Sequence, residues 1–255
     1  MPPTRRAPQI APTTRQSPLL HTDPQRLAMT LRGHVFTAPS GLKGFDANDV
    51  VSPLAAAAFY DHGYRFCVRY VRRRSPHSYD LSPQEAAGIL ASGLGLMLVQ
   101  HVAPEGWTPT APLGADYGDV AASEATRVGM PAGVTVWCDL EGVAPRTPPR
   151  QVIDYCNRWH AAVAGAGFVP GLYVGFGAGL SPDQLYRSLR FTHYWGAYNL
   201  PPDKEPAVRG LQMKQRVRRQ RDKVPGFGAL FQVDEVRTDA LRGRPALLAP
   251  ESWLT

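Results

Sequence analysis

The stretch VTVWCDLEG, residues 134–142, runs β-branched and aromatic residues into two carboxylates and a glycine. That composition predicts a β-strand leaving the core at Asp139 and Glu141. Strand side chains alternate between faces, so Asp139 and Glu141 share one face and Cys138 and Leu140 the other. If the apolar pair packs on a covering layer, both acids point into whatever the strand helps to enclose. A D-x-E alone is a weak signal, since exposed strands produce it by chance. The segments on either side decide its meaning.

From residue 42 the chain alternates strand-like and helix-like segments. LKGFDAN (42–48), YRFCVRYV (64–71) and LGLMLVQHV (94–102) read as strands before the D-x-E strand. VPGLYVGFG (169–177), HYWGAYN (193–199), GLQMKQRV (210–217) and ALFQVDEVR (229–237) read as strands after it. Between them, SPLAAAAFYDHG (52–63) has Ser52 as N-cap, Pro53 in the first turn and Gly63 as its stop. LSPQEAAGILASG (81–93) repeats that grammar, with Ser82 and Glu85 at capping-box spacing. DYGDVAASEATRVG (116–129) and SPDQLYRSL (181–189) also read as helices. In the longest helix, residues 148–167, Val152, Cys156, Trp159 and Val163 fall on one face.

Eight strands, mostly separated by helices, predict parallel strands joined by crossovers: a (β/α)8 barrel or a doubly wound open sheet. No strand-to-helix turn carries GxGxxG, and GLYVGFGAG has the wrong spacing for it. The reading is a single (β/α)8 TIM barrel over residues 41–255, with helices weakened late in the chain. Residues 1–40, rich in Pro, Thr and Arg, read as a tail that is either poorly ordered or a docking arm in an assembly.

A barrel's active site lies at the carboxyl ends of its strands. Asp46 ends the first strand in GFDAN, and Asp234 lies near the end of the last in FQVDEV. First and last strands adjoin in a closed barrel, so four acids, Asp46, Asp139, Glu141 and Asp234, are expected in one mouth. Clustered carboxylates repel, and at least one should hold its proton to higher pH, as a general acid requires. Tyr70, Tyr173 and Tyr198 sit near strand ends, where rings and hydroxyls can line a sugar groove, while Trp137 reads as core. His101 ends the third strand and reads as a structural group; no second histidine offers metal-ligand spacing.

The three cysteines, Cys67, Cys138 and Cys156, lie on apolar strand or helix faces and read as small buried hydrophobes. No cofactor or metal is expected. No run approaches the ~18 apolar residues of a membrane span. The N-terminal Arg pair is followed by no apolar core, which argues against a cleavable signal, so the delivery route is left open. The formal charge of +7 favours anionic partners. Six cations stand within residues 214–223, opposed only by Asp222. They read either as a solvated loop or as a loop beside the mouth that attracts an anionic polymer. Nucleic acid is disfavoured as a partner: there is charge, but no motif and no interleaving of aromatic with basic residues.

The set GFDAND, RYV, WCDLEG, GLYVG, WGAYN and VDEV resembles the glycoside-hydrolase-like barrel family of unknown function found in bacterial exported and phage-associated proteins. That family is similar to the family 25 lysozymes, which cut the muramic acid–glucosamine bond of peptidoglycan. The resemblance spans about residues 42–240. It implies Glu141 as general acid and Asp139 as the group orienting the substrate's N-acetyl, which acts as internal nucleophile. Asp46 and Asp234 would position the sugar and tune Glu141. Gln215, in LQMKQRV, stands where the lysozymes usually have Trp-Gln-Tyr. The implied partner is peptidoglycan or another bacterial glycan, and the implied location extracellular, at the cell wall or on a virion. A lysozyme-like muramidase is one reading; a barrel that holds glycan but cuts weakly or not at all, as in a phage or injection-machine component, is the other.

Overall fold

A computed structural model describes residues 30–254. Eight strands close into a barrel: β2 (Lys43–Ala47), β3 (Phe66–Val71), β4 (Gly95–Gln100), β5 (Thr135–Leu140), β6 (Val169–Val174), β7 (His193–Gly196), β8 (Met213–Arg216) and β9 (Phe231–Val236). The β4–β5 pairing completes the ring. Five helices cover it: α1 (Pro53–Asp61), α2 (Pro83–Ala91), α3 (Ala111–Arg127), α4 (Pro149–Gly165) and α5 (Pro182–Arg187). Ser52, Ser82 and Ser181 cap α1, α2 and α5 through their side chains, each followed by proline, as the repeated Ser-Pro predicts. Glu85 does not complete a capping box at Ser82. Its carboxylate pairs instead with the fully buried Arg69 at 2.6 Å and accepts from Val51 N, tying α2 to β3 and to the turn after β2.

Two features depart from a regular (β/α)8 barrel. After α5 no α-helix intervenes between strands, and β9 runs antiparallel to both β8 and β2. The expectation of eight parallel strands therefore fails at the last one, because two adjacent antiparallel strands need only a loop between them. That loop, residues 217–230, leaves β8 and enters β9 at the mouth end and packs over the outer wall between them. Val224 and Phe227 join Phe45, Phe59, Tyr64 and Phe231 in the layer that a helix would otherwise supply. Phe45 and Phe59 stack at 3.6 Å, with Tyr64 and Phe231 edge-on to both. Such pairs contribute about 0.5–1.5 kcal/mol beyond area burial.

The basic run is consequently organised around its single acid. Arg216 donates two bonds to Asp222 at 2.7 and 2.8 Å, Lys43 lies 3.7 Å away, and Tyr64 donates to the Asp222 carbonyl. Arg218 sits over Phe231, and Lys214 donates to Leu200 O.

The chain ends also differ from expectation. β1 (His34–Thr37) pairs antiparallel with β10 (Ala246–Ala249), and Leu248 meets Leu96 at the start of β4. Ala38, Leu247 and Ala249 close the end of the barrel opposite the mouth, against Phe66, Met97 and Val236. The folded unit therefore includes residues assigned to the tail. The rest of that segment, residues 1–29, lies outside the described residues. Within these, no helix is long and apolar enough to cross a membrane.

Candidate active site

The barrel interior is filled from below by Phe66, Val68, Met97, Val99, Trp137, Trp195 and Met213, all buried. Cys138 and Leu140 face the helices and pack in the outer layer with Tyr155, Cys156 and Trp159. Alternation then turns Trp137 and Asp139 inward, with Glu141 next in the series immediately after β5. Cys67, Cys138 and Cys156 are buried free thiols.

Asp46 is the hub of the mouth. It accepts from Tyr70 Oη at 3.2 Å and from Gln215 Nε2 at 2.8 Å. Gln215 Oε1 accepts in turn from Tyr173 Oη at 3.2 Å and from the Tyr198 backbone N–H at 3.3 Å. Asp234 lies opposite both Gly44 and Gln215 in register. It is fully buried and accepts from Trp195 Nε1 at 2.9 Å. Tyr198 exposes half its surface at the rim after β7, whereas Tyr70, Tyr173 and Gln215 form the wall and floor.

The electrostatics follow from this enclosure. Burial pushes Asp46, Asp139 and Asp234 above the ordinary aspartate range. Glu141 and Asp46 add to the rise at Asp139, and Asp46 adds to the rise at Asp234. Glu141 is also raised, by burial first and Asp46 second. Asp139 Oδ1 is buried and has no hydrogen-bond partner within the described structure. Asp234 Oδ2 is a second buried acceptor without a partner within the described structure, whereas the other oxygen of Asp234 accepts from Trp195.

Glu141 is held by its neighbours. Trp107 Nε1 donates to its carbonyl at 2.8 Å. Gly142, at φ +62°, takes a turn that L-residues with a Cβ rarely adopt; its N–H donates to Phe176 O and its carbonyl accepts from Gly106 N. Gly175, at the end of β6, leaves the space that the Glu141 side chain occupies. Neither Trp107 nor Gly175 stood out in the sequence: Trp107 lies in a loop, and Gly175 is one glycine of a run. His101 keeps a structural role, its Nε2 2.8 Å from Asp80 and its ring 5.1 Å from that of Tyr70. Among the described residues, no group of three His, Cys, Asp or Glu could hold a metal ion.

Several solved structures share this fold. The Tat-secreted protein Rv2525c from Mycobacterium tuberculosis, solved in complex with L-tartrate, is 16% identical over 78% of this chain and 96% of its own, with a TM-score of 0.58. The lysozyme from Streptomyces coelicolor is 14% identical over 80% of this chain and 96% of its own, at 0.56. A family 25 glycosyl hydrolase from Bacillus anthracis is 10% identical over 80% and 92%, at 0.55. No curated protein matches the chain by sequence. Residues 57–235, which include Asp139, Glu141 and Asp234, match the Rv2525c-like, glycoside hydrolase-like domain, and the chain belongs to that family.

Proposed function

We propose that the protein is a peptidoglycan-directed glycoside hydrolase of the muramidase type, acting with substrate assistance. The observation that carries this reading is the convergence of Asp139 and Glu141 on Asp46 in one buried mouth, with every carboxyl raised. Glu141 is the least buried of these acids, which suits it to meet a glycosidic oxygen. Protonated, it donates to the leaving oxygen as the bond to the anomeric carbon breaks. The carbonyl oxygen of the 2-acetamido group then bonds to that carbon, so no enzymic nucleophile is required, an exception to the two-carboxylate scheme. Asp139 Oδ1, an acceptor without a donor, suits the acetamido N–H and would orient it and stabilise the charge that develops there. Glu141, now a carboxylate, removes a proton from the water that opens the cyclic intermediate, and the site returns to its starting state.

Asp46 and Asp234 hold the floor, Tyr70, Tyr173 and Gln215 fix Asp46, and Tyr198 offers a ring at the rim for a sugar face. This activity belongs outside the cytoplasm, at the cell wall or on a virion. The deciding experiment incubates the full chain with purified peptidoglycan and measures new reducing ends. Wild-type release with a loss of about 100-fold or more in Glu141→Gln is the expected result. Equal release by the variant removes Glu141 as the acid, and binding without release by either favours a glycan-holding module.

A further inference from the structure

The loop after β3 carries a second polar constellation that shares a wall with the mouth. Arg72 and Arg127 take opposite oxygens of one carboxylate, that of Glu124, each at 2.7 Å. Glu124 is 1% exposed on α3. Two guanidiniums thus share one buried acid. Arg127 also donates to Leu81 O at 2.9 Å. Arg72 reaches Glu124 through Nε without an aligned hydrogen bond, and its terminal nitrogens bond to no protein group among the described residues.

Asp80, hydrogen-bonded to the His77 N–H and 2.8 Å from His101 Nε2, is a second carboxylate beside the pair, and burial lowers the His101 pKa, so the imidazole does not neutralise it. A cavity of about 290 Å³ opens here, lined among others by Arg72, His77, Asp80, Ser82, Glu124 and Arg127. Arg73 and Arg74 lie over the Tyr117 ring at 5.2 and 5.5 Å and form no ion pair among the described residues. The His77 ring meets that of His101 at 5.6 Å, and His101 meets Tyr70, which bonds Asp46. Three rings in series, His77, His101 and Tyr70, connect the cavity to the acid cluster.

We propose that this cavity is an anion subsite for a carboxylate or phosphodiester substituent of the glycan held in the mouth; that the ligand is a glycan rests on the function proposed above. The guanidinium fork of Arg72 matches both groups in shape, and Arg73 and Arg74, which follow it in the chain without an ion pair among the described residues, add positive charge that strengthens the attraction. Ser82 Oγ already accepts from Glu85 N, which leaves its hydroxyl proton to donate.

The test uses the full chain and two probes, inorganic phosphate and acetate, followed through the His77 ring signals by NMR. Binding by wild type is expected, weakened about tenfold in Arg72→Gln, which leaves Arg127 on Glu124. Glu124→Gln, which removes the competing carboxylate, is expected to tighten it. A preference for phosphate identifies a phosphodiester source, and one for acetate a carboxylate. A second arm compares a muropeptide-bearing oligosaccharide with a neutral chitooligosaccharide, and Arg72→Gln should raise Kd for the first alone. His77 signals unmoved by either probe in wild type overturn the proposal, whether or not the variants fold. So does an equal loss on neutral and anionic sugars. Anions that bind as stated to a protein that cuts no glycan defeat the proposed hydrolase and leave the subsite standing. Cleavage by a protein whose His77 ignores both anions does the reverse.

Discussion

Asp234 sits two residues below Asp46 in the β2–β9 register, and its Oδ2 is buried inside the barrel with no hydrogen-bond partner among the described residues. Burial raises both carboxyls, Asp234 well above the aspartate range, and the charge of Asp46 adds to the rise at Asp234. The folded state therefore binds more protons than the unfolded chain. Stability from this pair is fullest below the unfolded value of about 4 and falls as pH rises through the folded one.

Asp234→Asn keeps an oxygen for Trp195 and offers Asp46 an N–H without a charge to bury. Its melting temperature should exceed wild type by a few degrees at pH 7, with the gap closing toward pH 4. A variant that melts lower at every pH would show that Asp234 is ionised and needed as such.

Asp222 responds in the opposite sense. Arg216 holds its carboxyl far below the usual range, so its contribution is present above about pH 4 and lost as pH falls below it. Asp222→Asn should cost about 1–2 kcal/mol at neutral pH, a figure reduced for the part-exposed Arg216. Thermal melts at pH 7 and pH 3 check it: the deficit should be largest at pH 7.

Removing residues 1–40 should lower the melting temperature clearly, because the cut takes away the buried Leu31 and Ala38 and the strand β1 that pairs along β10. A deletion ending at residue 29 leaves all of these in place. Equal melting of the two truncated proteins would show that β1 adds nothing to the barrel.

The barrel and its inward acids were legible because strand alternation and repeated Ser-Pro starts are local signals: VTVWCDLEG assigns its own faces. The direction of β9 was not legible. GLQMKQRV and ALFQVDEVR read equally well as parallel or antiparallel, and only the loop's aromatic packing on Phe59 and Tyr64 distinguishes them. Nor was the fate of the cations of residues 214–223 legible, since Asp222 and Phe231 draw two of them, Arg216 and Arg218, into contacts that no local pattern announces. β1 and β10 are four-residue strands whose pairing spans most of the chain, which no window on the sequence reveals.

The pH profile of cleavage tests the coupling of Glu141 to Asp46. A general acid must carry its proton, so kcat/KM should fall as pH rises past the raised Glu141 value. Asp46→Asn removes one of the two causes of that rise, and the alkaline limb should move to lower pH. An unmoved limb would assign it to another group.

Gly175 offers the sharpest separation of chemistry from folding. A Cβ placed there would lie 2.2 Å from Glu141 Oε2 and 2.5 Å from Glu141 Cβ, so the glutamate's root as well as its mobile end would have to shift. Gly175 is not among the positive-φ glycines, and alanine meets no backbone penalty at this position. The clash therefore falls on Glu141, which Trp107 and the Gly142 turn hold by the backbone. Displacing an acid by about 1 Å costs on the order of 100-fold in rate. Gly175→Ala should lose roughly that much kcat while keeping its melting temperature within a few degrees and its KM close to wild type. If kcat survives intact, Glu141 is not held where the proposed mechanism requires it.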